Sequence, residues 1–134
     1  MILFRSLYLI LLCSSLLFGG LLKPSDNQII SYIHILFEWE QQPDAVAYQI
    51  QLSDSNSFEN NSNLLLDAQT SNLVYIYKDN IDWGNTYFWR VRDIYVDNSF
   101  GSWTLPFSFT IDEKKYESNS GSLYIDFSNE NLVD

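Results

Sequence analysis

The sequence predicts an all-β fold, a two-layer sandwich of about seven short strands behind a hydrophobic N-terminal segment. Three observations predict it. Apolar residues recur at period two in several short runs. Turn-forming residues punctuate those runs, and no long segment carries helical spacing. Aromatic residues make up 16% of the chain and hydrophobic residues 46%, which is too apolar for a disordered polypeptide.

The segment 1–22 comes first. A short start with Arg5 leads into Ser6 to Leu22, a stretch without charge that contains Leu7-Tyr8-Leu9-Ile10-Leu11-Leu12. This is the pattern of an export signal, so the expected location is secreted or cell-surface. Three outcomes fit it. The segment is cleaved, or lipid-attached at Cys13 in the setting Ile10-Leu11-Leu12-Cys13, or kept as an anchor. Cys13 is the only cysteine, which excludes an intrachain disulfide and a cysteine-based metal site.

The domain proper is expected over 23–112, enough for one core. An edge strand is placed near Gln28 to Ile30. The segment Ile33 to Glu40 sets Ile33, Ile35, Phe37 and Trp39 on one strand face. Pro43 removes a ladder donor, and Asp44 favours a turn. Alternation resumes from Ala47 to Leu52 with Tyr48, Ile50 and Leu52 in register. A long polar loop, Ser53 to Asn63, is broken only by Phe58. Two short strands follow, Leu64-Leu65-Leu66 and Leu73 to Tyr77, with Asp67 to Asn72 between them. A turn centred on Gly84 leads to the strand Thr86 to Arg92, where Tyr87, Trp89 and Val91 alternate with Phe88, Arg90 and Arg92. The last strand, Leu105 to Ile111, carries Phe107, Phe109 and Ile111 in step. This rhythm is that of an immunoglobulin-like sandwich. Its core is expected to hold Phe37, Trp39, Tyr48, Tyr87, Trp89, Val91 and Phe109.

Over roughly Pro24 to Ile111 the sequence resembles the fibronectin type III family in the form found in bacterial surface and secreted proteins. The resemblance rests on Phe37-Glu38-Trp39, on Tyr48-Gln49-Ile50-Gln51-Leu52-Ser53 and above all on Tyr87-Phe88-Trp89-Arg90-Val91-Arg92. Gly101-Ser102-Trp103 before Phe107-Ser108-Phe109-Thr110-Ile111 is similar to the family's closing strand. The chain departs from the pattern in its poorly defined first strand and in the long loop from Asp54 to Asn63. The resemblance implies that Tyr87, after the turn Ile81-Asp82-Trp83-Gly84, is a corner tyrosine whose hydroxyl bonds the backbone where the chain crosses between sheets.

Charge narrows the function. The chain carries a formal net charge of −10, with all acidic residues at or after Asp26. Nucleic-acid binding is therefore disfavoured, and membrane contact is expected only through the N-terminal segment. The sequence sets no oligomeric state. His34 is the single histidine and has no partner motif. Ser-rich stretches lack a nucleophile elbow. Glu38 and Glu40 share a strand face in the manner of a glycosidase pair, but that face is expected to be solvated. In Asp79-Asn80-Ile81-Asp82-Trp83-Gly84 the apolar Ile81 and Trp83 stand where a calcium loop needs oxygen. The expectation is a module that is no enzyme, with no cofactor and no metal. It acts as a structural spacer, or as an adhesion domain for an extracellular protein or glycan. The candidate contact residues are Tyr95, Phe100 and Trp103, whose rings gather near the last loop. The alternative is an accessory N-terminal domain of a longer extracellular enzyme, for example a carbohydrate-active one. The segment 113–134 supports that alternative: a polar linker precedes Ser122-Leu123-Tyr124-Ile125-Asp126-Phe127, which either adds to the sandwich or begins a further domain.

Overall fold

The computed structural model describes residues 20–113. Cys13, most of the segment 1–22 and the segment Ser122 to Phe127 lie outside the described residues. Among the described residues eight strands form in order: β1 (Leu21–Lys23), β2 (Gln28–Ile30), β3 (Ile35–Trp39), β4 (Ala45–Ser53), β5 (Leu64–Thr70), β6 (Val74–Tyr77), β7 (Thr86–Tyr95) and β8 (Phe107–Ile111). They build a three-stranded sheet, β1-β3-β6, and a five-stranded sheet, β2-β8-β7-β4-β5. All pairings are antiparallel except that of β2 with β8. The result is an immunoglobulin-like β-sandwich with one core between the layers.

The period-two residues supply that core. Phe37, Trp39, Tyr48, Tyr87, Trp89, Val91 and Phe109 are all buried, none above 3% exposure. Phe37 sits at the centre, with ring centroids 5.0 Å from Trp89 and 5.9 Å from Phe109. Tyr87 meets Phe109 at 5.7 Å, and Trp39 meets Tyr48 edge-on at 5.8 Å. These offset and tilted arrangements are the ones the ring quadrupoles favour.

Of the three core phenols, Tyr77 donates to the Leu65 carbonyl at 3.2 Å and the other two accept from a backbone N–H. The Tyr87 hydroxyl accepts the Asp82 N–H at 2.9 Å, across the turn that holds Gly84 at φ 81°, and the Tyr48 hydroxyl accepts the Gln42 N–H at 3.1 Å. The two core indoles make no such bond: Trp39 Nε1 and Trp89 Nε1 are buried with no hydrogen-bond partner among the described residues. Tyr87→Phe leaves the Asp82 N–H without its acceptor. It should lower stability by about 1 kcal/mol in denaturant titration, with an unchanged slope.

Several boundaries differ from the sequence reading, each for a physical reason. Leu21 and Leu22, placed there with the leader, belong to β1; Leu21 pairs with Trp39 and is buried. Ile33 lies in a bend before β3 and is 36% exposed, so the inward register of that strand starts at Ile35. β5 continues through Asp67 to Thr70, because its ladder with β4 runs from Leu64 to Thr70. β7 continues to Tyr95, which pairs with Ala45 beyond an irregularity between Ala45 and Ala47. β8 starts only at Phe107, since Pro106 has no N–H to give a ladder, and Leu105 is 86% exposed.

Candidate ligand groove

β7 organises both candidate surfaces. Its side chains alternate, so Arg90 and Arg92 point away from the core that Tyr87, Trp89 and Val91 fill. On the outer face of the five-stranded sheet, register sets Gln51 opposite Arg90 and Gln49 opposite Arg92. Arg90 donates from Nε (3.0 Å) and an Nη (2.8 Å) to Gln51 Oε1, and Arg92 Nε donates to Gln49 Oε1 at 2.7 Å. The amide nitrogens of both glutamines donate in turn to the Asp67 carboxylate on β5, that of Gln51 at 3.1 Å. A polar row thus crosses three strands, β7, β4 and β5.

Loop aromatics cover the guanidinium ends of this row. Arg90 lies 4.2 Å from the ring centroids of both Phe58 and Trp103, and Arg92 lies 3.8 Å from that of Phe100 and 4.5 Å from that of Trp103. Partial burial, with the Arg92 charge beside it, pulls the Arg90 guanidinium below the usual arginine range, while Asp67 and Glu59 oppose that shift. Such stacks are attractive because each cation faces the negative π-cloud. Trp103 is therefore committed to two guanidiniums, and Phe100 to one. Neither offers a ring face on both sides to an incoming ligand.

The second surface lies at the end of the sandwich. With ten residues β7 is longer than any strand of the facing sheet, so its inward-phase residues Asp93 and Tyr95 pass beyond the closed core. They line a groove of about 440 Å³ together with Leu21, Trp39 and Glu40 from the other sheet's end, and Trp103, Leu105 and Phe107 from the last loop and strand. Thr104 pins that loop: its N–H donates to the Val91 carbonyl at 2.9 Å, and its hydroxyl accepts the Val91 N–H at 3.1 Å. Gly101 makes close approach possible, since a Cβ there would stand 3.0 Å from the Tyr95 hydroxyl and 3.3 Å from Asp93 Cβ.

The walls are mainly apolar; Gln42, Ser102 and Thr104 add neutral polar groups, and the charged groups among the described lining residues, Glu40 and Asp93, are both acidic. Glu40 accepts the Gly20 N–H at 3.1 Å. Burial alone pushes the Asp93 carboxyl above the usual carboxylate range, with no hydrogen bond or cation among its causes. Among the described residues no Lys, Arg or His lines the groove. An acid whose folded-state affinity for protons exceeds its unfolded one destabilises the fold increasingly as pH rises through the interval between the two values. Asp93→Asn should therefore stabilise the domain at neutral pH and lose that advantage below the ordinary aspartate range. Thermal midpoints of both proteins across acid pH measure this.

Of the three aromatic residues singled out in the sequence, Tyr95 and Trp103 meet at this groove, whereas Phe100 sits apart, over Arg92. Asp93 was missed because the strand was ended at Arg92. The available signal was its phase, two residues after Val91 in a register otherwise filled by apolar side chains. Elsewhere, Glu38 is half-buried and ion-paired to Lys23 at 3.5 Å, and His34 is exposed before β3. Among the described residues no group of three or more His, Cys, Asp or Glu side chains could hold a metal ion.

No protein-family model matches this sequence, and no curated protein matches it. Among solved structures, the chain is similar to the alpha-L-rhamnosidase of Dictyoglumus thermophilum, with a TM-score of 0.54 and 16% identity, over 72% of this chain and 12% of that one. The likeness is one of fold. The Streptomyces avermitilis alpha-L-rhamnosidase complexed with L-rhamnose aligns at TM-score 0.47 and 16% identity, over 71% of this chain and 10% of that one. The chain thus spans about a tenth of the length of these enzymes.

Proposed function

We propose that this chain is an exported, non-catalytic module of the fibronectin type III kind that serves as an accessory domain in an extracellular carbohydrate-active system, holding a glycan segment in the groove beside Asp93. One observation carries the reading. A half-buried carboxylate without a partner among the described residues lines a mostly apolar groove of about 440 Å³, beside Tyr95 and the rim residue Leu105. Grooves of this size with few convergent polar groups are where small ligands bind. Sugars match this one chemically: a pyranose has an apolar C–H face for the walls and hydroxyls that donate to Asp93 and Glu40. The size of the aligned segment within a much larger rhamnosidase supports the accessory role, and makes rhamnose-containing glycans the first ligands to try.

The general spacer or adhesion reading shares the rigid polar row and its aromatic cover but needs no groove. Calorimetric titration with α-L-rhamnosyl oligosaccharides, alongside a broad glycan array, separates the two. Binding that weakens about tenfold or more in Asp93→Asn, a loss of roughly 1.4 kcal/mol, supports the accessory reading. An aryl α-L-rhamnoside should pass through the same preparation unhydrolysed. Absence of binding to any glycan overturns the glycan assignment, and turnover that disappears with Asp93→Asn overturns the non-catalytic one.

A further inference from the structure

The two outer faces of the sandwich are chemically unlike. That of the five-stranded sheet carries Gln49, Gln51, Arg90, Arg92 and Asp67, joined by hydrogen bonds. On the three-stranded sheet the outward positions of β3 and β6 are instead Leu36, Val74 and Ile76, the last 57% exposed, with Glu38 opposite Val74 and ion-paired to Lys23 at one side. Leu36 and Ile76 are direct cross-strand partners, so their side chains are neighbours. Leu22 and Tyr32, also exposed, share a shallow hollow with Leu36 and extend the patch across β1. An antiparallel sheet whose outer face meets only water normally alternates to polar residues there.

We infer that this apolar face is the seat of a segment of the same chain, Ser122 to Phe127, which lies across it. Size argues for a tethered occupant. The exposed parts of the five side chains amount to an area on the order of 400 Å². Each partner of a stable bimolecular complex buries roughly 800 Å². A second copy would meet too little surface here, whereas a tethered segment gains from its high effective concentration.

Geometry places the tether. Ile111 at the end of β8 pairs with Ile30, and the Asp112 N–H donates to the Ile30 carbonyl at 2.9 Å. The end of β8 therefore lies beside Ile30, two residues before Tyr32 at the margin of the patch. Leu123 lies ten residues past Glu113, a span of up to about 33 Å when extended. From there Leu123, Ile125 and Phe127 alternate with Tyr124 and Asp126, which gives one apolar edge that matches the patch and one polar edge for water. This inference does not depend on the groove or its ligand.

Hydrogen-exchange mass spectrometry on the full chain tests it. Amides of Ser122 to Phe127 should exchange about tenfold more slowly than an unprotected peptide. That protection should vanish in Ile76→Asp and in Phe127→Ser, while peptides from β4 and β7 stay protected and report an intact fold; Tyr124→Ser should leave it in place. Since Phe127 belongs to none of the strands β1 to β8, its variant remains decisive should Ile76→Asp unfold the domain. Unprotected exchange of the segment in the unaltered chain overturns the inference. So does protection that survives Phe127→Ser, or protection that requires a dimer by light scattering.

Discussion

Trp89→Ala should lower the stability of the domain by about 4 kcal/mol, a large part of what a domain of this size possesses. The ring is fully buried. It packs 5.0 Å from Phe37 and 6.3 Å from Phe107, so its removal opens a cavity between the sheets that neither backbone can close. Trp89→Phe is the informative partner. Its Nε1 has no acceptor among the described residues, so phenylalanine gives up area without giving up a hydrogen bond, and sheds a buried donor that was costly to leave unpaired. The expected cost is about 1–2 kcal/mol. Urea titration of the two variants checks the difference, and equal losses would show that the indole N–H does have a partner.

Arg90→Ala should cost about 2–3 kcal/mol, more than an exposed charge on a strand ordinarily contributes. It removes two cation–π contacts, to Phe58 and Trp103, and two hydrogen bonds to Gln51 Oε1. Gln51 is itself buried at 7% exposure, so its carbonyl would be left without a donor. Phe58 is the only apolar residue between Ser53 and Leu64, and it is buried although its loop is otherwise polar. Losing its guanidinium cover should raise hydrogen exchange over that loop. Arg90→Lys should recover little, because an ammonium cannot present the planar face that stacks on the rings or the fork that grips one oxygen twice. A double-mutant cycle with Asp67→Ala should show coupling of about 0.5–1 kcal/mol, since Gln51 links the two charges.

Much of the core could be read from the chain because burial in a strand repeats every second residue. Phe37 with Trp39, Tyr48 with Ile50, and Tyr87 with Trp89 announce their inward face by spacing alone. The corner contact of Tyr87 followed from the family resemblance, and the structure supplies its partner, the Asp82 N–H. β1 escaped notice because Leu21 and Leu22 continue the apolar run of the preceding segment, and nothing local marks where that run ends and sheet begins. The groove escaped for a different reason. Asp93 stands in an inward phase, yet whether such a carboxylate is covered, paired or left beside a cleft depends on how far the opposite sheet extends.

The alternation of side chains, and with it the sandwich and its inward rings, is a consequence of backbone pleating and acts within a few residues, so the amino-acid order determined it unaided. Which strands become neighbours is decided by contacts between residues far apart in the chain. Only the folded structure could therefore bring Asp67 to Gln49 and Gln51, lay Phe58 and Trp103 over Arg90, and set Asp93 beside a groove at the end of the sheet. Pleat is local chemistry, whereas adjacency is settled by the burial of the whole core at once.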